Sequence, residues 1–226
     1  VDALIDKKNL KKDEAVFNIL REYIKTSKRI RFDGDGYSDE WEKEAIRRKL
    51  SNNKNTPSAI QVLTSKESLE LFKSMKVMSE VEVAARKEVE LETYIFQLQI
   101  EGRVYNELVY SYVIPAAITY QNNLIKNVMG LKDIYGAAHK KLTDGQLAII
   151  EQIAEHIADL KKQTDMMTDA RRSANKLKDI NKKAYAYCDN VKPYFDKIRT
   201  HCDKLESVMD NNLWPLTKYR ELLFQK

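Results

Sequence analysis

From Ser79 to Ile114 the chain runs 36 residues with no proline and one glycine. A 4-3 apolar spacing passes through Ala84, Leu91, Ile95, Leu98, Gly102, Tyr105, Val109, Tyr112 and Ala116, with Glu88 as the polar exception. That is the stripe of an amphipathic helix. Ser79-Glu80-Val81-Glu82 opens it as a capping box, in which serine and glutamate satisfy each other's free amides. At about 1.5 Å per residue the run is roughly 50 Å long. A helix of that length cannot cover its own stripe and demands partners of similar length. Pro115 is expected to kink it rather than end it, because Ala117, Ile118 and Leu124 continue an apolar face.

Two partners are visible. Thr143-Asp144-Gly145-Gln146 reads as a second capping box, followed by Ile150, Ile153, Ile157, Leu160, Thr164 and Met167. A third stripe carries Leu177, Ile180, Ala184, Tyr187, Val191, Tyr194, Ile198, His201, Leu205 and Val208, in phase through Pro193. Cys188, Phe195, Cys202 and Met209, each seven apart, widen it. The alternation breaks between Ala174 and Leu177, which places a turn there. The expected fold is all-α: an antiparallel helical bundle over residues 79–226, preceded by short helices and loops over residues 1–78. The apolar tail, Leu213-Trp214-Pro215-Leu216 with Tyr219, Leu222, Leu223 and Phe224, is expected to dock.

The first third is built differently. Asp13 is positioned to cap a helix with Val16, Ile19, Leu20, Tyr23 and Ile24 on one face. Asp33-Gly34-Asp35-Gly36 reads as a turn before a short helix from Ser38 or Asp39. Thr56-Pro57 reads as a cap with proline behind it, and Glu67–Ser74 as a further short helix.

Composition excludes other classes. With 6 Gly and 4 Pro the chain has roughly a third of the usual share, too little punctuation for a turn-rich β fold. A net charge of +5 is spread over mixed-sign helix surfaces, which argues for no nucleic-acid partner. No run approaches 18 apolar residues, so no membrane partner is expected, and the N-terminal residues lack a signal-peptide pattern. Two cysteines make no disulfide framework, and the expected location is cytoplasmic. The first residue is Val1 rather than Met, which fits a piece of a larger protein.

No constellation of reactive residues stands out. His139, His156 and His201 lack a second ligand at i+3 or i+4, so a structural role is expected of them. Cys188 and Cys202 lie about 20 Å apart on one straight helix and read as core-face residues. As a calcium loop, Asp33-Gly34-Asp35-Gly36-Tyr37 would put Glu44 twelfth but Ser38 where glycine is needed. As a phosphate loop it lacks the third glycine. Glu88, Glu90 and Glu92 do not share a face and make a poor acid–base set. No catalytic, cofactor-binding or metal-binding residue is assigned.

Several stretches nevertheless carry a resemblance. They are Gly36-Tyr37-Ser38-Asp39-Glu40-Trp41, Leu50-Ser51-Asn52 with Thr56-Pro57, and Ile114-Pro115-Ala116-Ala117 with Tyr120-Gln121-Asn122. Cys188-Asp189 with Lys192-Pro193-Tyr194-Phe195 follows, then Leu213-Trp214-Pro215-Leu216 with Tyr219-Arg220-Glu221-Leu222-Leu223-Phe224. In order and spacing they resemble the C-terminal part of type III glutamine synthetases, the large bacterial form of that enzyme. Thr217 departs from the pattern, standing where a second proline is expected.

The resemblance implies a parent enzyme roughly three times this length that joins glutamate and ammonia through a γ-glutamyl phosphate. It implies ATP and Mg or Mn as cofactors of that parent, bound upstream of this chain and not within it. It further implies double-ringed dodecamers, so the expected partners are the enzyme's own catalytic core and neighbouring subunits. On this reading residues 1–78 end the catalytic segment, and residues 79–226 form a non-catalytic helical region with a structural or assembly role. The alternative is a stand-alone helical adaptor that dimerises through its heptad faces. A nucleic-acid-binding bundle has only the net charge in its favour.

Overall fold

The computed structural model describes residues 10–224, with the side chains of Tyr219 and Arg220 excepted. The N-terminal residues 1–9, read above for a signal peptide, and the Tyr219 side chain lie outside the described parts. No strand occurs among the described residues, as the all-α expectation requires. Contacts divide the chain into two units, 1–53 and 54–226, so the division falls inside the polar Ser51–Asn55 run.

The first unit holds α1 (Lys12–Thr26), a 3-10 turn (Ser27–Ile30) and α2 (Asp39–Arg47). Asp13 does not cap α1; it lies with Glu14 in the first turn, where carboxylates face the unpaired amides. Ser38 caps α2, its hydroxyl accepting from the Trp41 amide at 3.3 Å. Burial in this unit is slight. Ala15 and Ala45 are covered, while Phe17, Leu20, Tyr23 and Ile24 of α1 stay exposed.

The second unit begins with α3 (Thr56–Gln61), a 3-10 extension (Val62–Thr64) and α4 (Lys66–Ser74). The cap of α3 is Asn55 rather than Thr56: Asn55 Oδ1 accepts from the Ser58 amide at 2.8 Å, with Pro57 in the first turn. These short helices rest on the bundle. Ser58 and Tyr185 hydroxyls meet at 3.2 Å, Gln61 donates to Asn181 at 2.6 Å, and Ile60 packs on the core. Residues 54–78 therefore belong with the helices that follow.

The bundle has three long arms. The first is α5 (Glu80–Leu108), a π-turn (Val109–Val113) and α6 (Ile114–Tyr135). The second is α7 (Lys140–Asn175), and the third is α8 (Ile180–Ala186), a second π-turn (Tyr187–Val191) and α9 (Pro193–Val208). The Ser79 capping box is formed, with Glu82 Oε2 accepting from the Ser79 amide at 2.7 Å and Ser79 Oγ from the Glu82 amide at 3.3 Å. The second box is not. Gly136, at φ +54°, turns the chain, and a 3-10 turn (Gly136–His139) feeds directly into α7. Thr143 is already helical there, its buried hydroxyl donating back to the His139 carbonyl at 3.1 Å.

Side-chain bonds record the antiparallel register of the first two arms. Asn127 meets Gln146, Gln121 meets the Ile150 carbonyl, Tyr110 meets Asp165, Asn106 meets Thr168 and Gln99 meets Asn175. Steps forward along one arm are matched by steps back along the other, as in an αα-hairpin.

Both π-turns shift the core by one residue. Each sits just before a proline and contains the carbonyl four residues upstream of it, that of Ser111 for Pro115 and of Asp189 for Pro193. An α-helical turn would drive the proline ring into that carbonyl; the wider turn relieves the clash. The ladder is carried by i→i−5 bonds from Ile114 to Val109 and from Lys192 to Tyr187. One added residue moves the buried face from Tyr112 and Ala116 to Val113 and Ala117. In the third arm it moves from Tyr194, His201 and Val208 to Phe195, Cys202 and Met209, with Ile198 and Leu205 common to both phases.

The core so formed is continuous. Leu91, Val109, Val113, Ile153, Leu160, Met167, Tyr187, Val191, Ile198 and Leu205 are each 0–1% exposed. Tyr105 stacks on Phe195 with ring centroids 4.8 Å apart, over the gap left by Gly102. Trp214 is buried and Leu216 packs on the core, whereas Leu222, Leu223 and Phe224, around the short helix α10 (Tyr219–Leu222), are exposed. Docking of the tail thus stops near Leu216.

Candidate functional site

Residues that could do chemistry are scattered rather than assembled. His139 closes the α6–α7 turn, its Nδ1 lying 2.7 Å from the Gly136 carbonyl. Cys188 lies in the second π-turn and Cys202 on α9, both free thiols. Burial raises both, Cys202 to about 11, so they stay protonated and unreactive near neutrality.

The Asp33–Tyr37 segment is an Asx turn entering α2. Asp35 Oδ1 accepts from the Tyr37 amide at 2.9 Å, and the Asp35 carbonyl accepts from the Ser38 hydroxyl at 2.7 Å. Glu44 is engaged by Arg47 and Arg48, whose hydrogen bonds hold its carboxyl down at about 2. Glu88, Glu90 and Glu92 are all exposed. Glu88 and Glu92 line a groove of about 710 Å³ with Phe96, and Lys178 and Lys183 stand on its other wall. Glu90 does not line that groove, consistent with the i, i+2 argument.

Three polar joints between helices are the chemically specific features, and none was assigned from the sequence. At one end of the bundle Asn175 Oδ1 accepts from Gln99 at 2.8 Å and from the fully buried Tyr187 hydroxyl at 2.7 Å, tying all three arms together. Further along, Asp165 accepts from Tyr110 at 2.5 Å and from Lys161 at 2.7 Å, and these donors lower its carboxyl. Third, His156 and His201 bring their Nδ1 atoms to 3.4 Å across the α7–α9 contact. The sequence signal for this last joint was available. His156 sits three residues after Ile153 and four before Leu160, and it takes the buried position assigned above to Ile157.

Among the described residues no three His, Cys, Asp or Glu side chains converge on a point that would hold a metal ion. No helix among them is long and apolar enough to cross a membrane. The three joints tie helices of different arms together.

By architecture, then, this is an all-α bundle domain whose specific polar contacts serve helix packing. Residues 15–132 match the glutamine synthetase C-terminal domain family, and the chain belongs to it. It is similar over 227 residues, at 40% identity, to a glutamine synthetase of Bacteroides fragilis (strain YCH46), an alignment that takes in 100% of this chain and 31% of that protein. A type-3 glutamine synthetase of Dictyostelium discoideum is 26% identical over 213 residues, 93% of this chain and 29% of that protein. A glutamine synthetase of Butyrivibrio fibrisolvens is 26% identical over 216 residues, 93% of this chain and 30% of that protein. The chain spans less than a third of the length of each relative.

Proposed function

We propose that this chain is the helical C-terminal region of a type III glutamine synthetase, and that it serves assembly while the rest of the protein performs the reaction. The observation that carries the reading is the full-length match to an enzyme of which the chain covers only 31%. The polar groups described above support the division of labour, since they join helices instead of converging on a substrate. On this reading glutamate, ammonia, ATP and Mg or Mn are bound by the remainder of a cytoplasmic enzyme. The partners are then its catalytic core and neighbouring subunits of a homo-oligomer, a dodecamer by family resemblance. The exposed apolar face of α1, with Phe17, Leu20, Tyr23 and Ile24, is a surface such a core would cover.

The adaptor alternative is weakened by the core itself. Heptad dimerisation needs free stripes, but Leu91, Ile153 and Ile198 are 0% exposed within a single chain.

The test compares three proteins: this chain, the complete enzyme, and the enzyme lacking the bundle. ATP-dependent glutamine formation is expected of the complete enzyme and not of the chain. Loss of the bundle is expected to lower the oligomer mass measured by light scattering. Glutamine synthesis by the isolated 226 residues would overturn the reading, as would unchanged assembly without the bundle.

A further inference from the structure

The α7–α9 contact holds an unusual pair of bases. His156 is 9% exposed, its Nδ1 lies 3.4 Å from His201 Nδ1, and the ring centroids are 5.4 Å apart with planes inclined by 59°. Two ring nitrogens satisfy such a contact only if one carries a hydrogen and the other a lone pair. The surroundings decide which. His156 Nε2 is buried without a partner, and a bare lone pair there costs less than an orphaned N–H. His156 is therefore the Nδ1–H donor and His201 the acceptor, leaving the His201 Nε2–H on its half-buried ring to reach water.

The geometry points to this pair as a proton-sensitive joint that holds α7 against α9 at neutral pH and loosens at acid pH, where a proton on the pair puts N–H on both facing nitrogens. Full protonation would put N–H on both facing nitrogens and two cations in contact, at a site with little water to screen them. From α9 the facing charged groups are His201 and Lys204, and both oppose a charge on His156. On α7 itself Glu155 and Asp159 favour one, but they are exposed. The stretch of the first arm level with the pair, 113–121, has no charged residue, and its one titratable side chain is Tyr120. Burial, the largest influence, also holds His156 below its ordinary value.

The sign follows from linkage. A base whose folded pKa is depressed keeps its full stabilising effect above about pH 7.5, and loses it as pH falls through the unfolded value of about 6.5. A proton wholly excluded from the folded state raises the unfolding constant about tenfold per pH unit below that value, so roughly tenfold is the ceiling between pH 7.5 and 5.5. Histidines alone among the side chains ordinarily titrate in that window, and the chain has three.

Urea unfolding of the chain at pH 7.5 and 5.5 tests this directly. A rise in the unfolding constant of more than about twofold, up to about tenfold, is expected for the wild type, and less than about twofold for His156→Gln. His156→Leu serves as the second uncharged occupant should the glutamine variant fold poorly. His139→Gln, at the exposed turn, should behave like wild type. Imidazole proton shifts followed through the same range should place His156 below 6.5. A pH-independent wild type, the same pH response in both His156 variants, or a His156 midpoint at or above 6.5 would each overturn the joint.

Discussion

Residues 10–53 and the bundle that follows are both helical, yet only the bundle makes its own core. In the first unit α1 is amphipathic, but its large apolar side chains Phe17, Leu20, Tyr23 and Ile24 are more than half exposed; among the described residues Ala15 and Ala45 are buried, and Val16, Ile19, Phe32 and Trp41 half-buried. In the second, each long arm packs against the two others, and side chains from Leu91 to Leu205 reach 0% exposure. The same periodic signal in sequence therefore has two structural meanings. A stripe whose partner lies in the chain becomes a core, and a stripe whose partner does not remains a surface.

The largest effect that separates the two regions is truncation of a stripe residue. Leu160→Ala in the bundle is expected to cost about 2–5 kcal/mol, by lost burial plus the cavity left behind. Leu20→Ala in α1 of the same chain is expected to change stability by less than about 0.5 kcal/mol, because Leu20 is already more than half exposed. Thermal unfolding of both variants measures the contrast. An equal loss at the two positions would mean that α1 has a covered face after all.

Much of the bundle was legible because its signals are local. The Ser79 box is a matter of four consecutive residues, and the turn after Ala174 follows from a broken alternation. The second box failed for an equally physical reason. Thr143 satisfies its hydroxyl on a carbonyl of the preceding turn, so the same motif sits comfortably inside a helix once Gly136 has made the turn upstream. The π-turns were illegible in composition, since an inserted residue changes phase without changing content. Their trace is a 4-4 step beside a proline: Val109, Val113 and Ala117 around Pro115, and Tyr187, Val191 and Phe195 around Pro193. The spacing along α7 marks His156 as a core position, but the pairings themselves were hidden, because they join residues far apart in sequence, 45 positions for His156 and His201. Only a register between arms brings them together, and the spacing along one arm does not contain it.

A middle-sized effect tests whether the bundle's polar joints contribute beyond its apolar core. Tyr187→Phe removes the hydroxyl that donates to Asn175 and keeps the ring in the core. Gln99 still donates to the same oxygen, so no buried acceptor is orphaned. The expected cost is about 0.5–1.5 kcal/mol, read from urea unfolding with an unchanged slope. In the first unit the nearest counterpart is the Glu44–Arg48 pair, which is partly covered but lies within a single helix and its cap.

The smallest effect concerns two carboxylates that hydrogen bonds depress, one taken from each region. Glu44 is held at about 2 by Arg47 and Arg48 on its own helix and its immediate flank, so its protonation disturbs one turn of α2. Asp165 is bound by Lys161 on α7 and by Tyr110 from the opposite arm, so its protonation weakens a tertiary contact. Both carboxyls are lowered, so each contributes stability that is present above the ordinary carboxylate range and is lost as pH falls through the folded value. Asp165 is half-exposed, at 49%, and screening by water limits the contribution to about 0.2–1 kcal/mol. Asp165→Asn should flatten the acid limb of bundle unfolding below about pH 4 slightly, whereas Glu44→Gln should leave it unmoved. An effect of Glu44→Gln on the bundle transition equal to that of Asp165→Asn would show that the two regions unfold as one, and the contrast between them would fall.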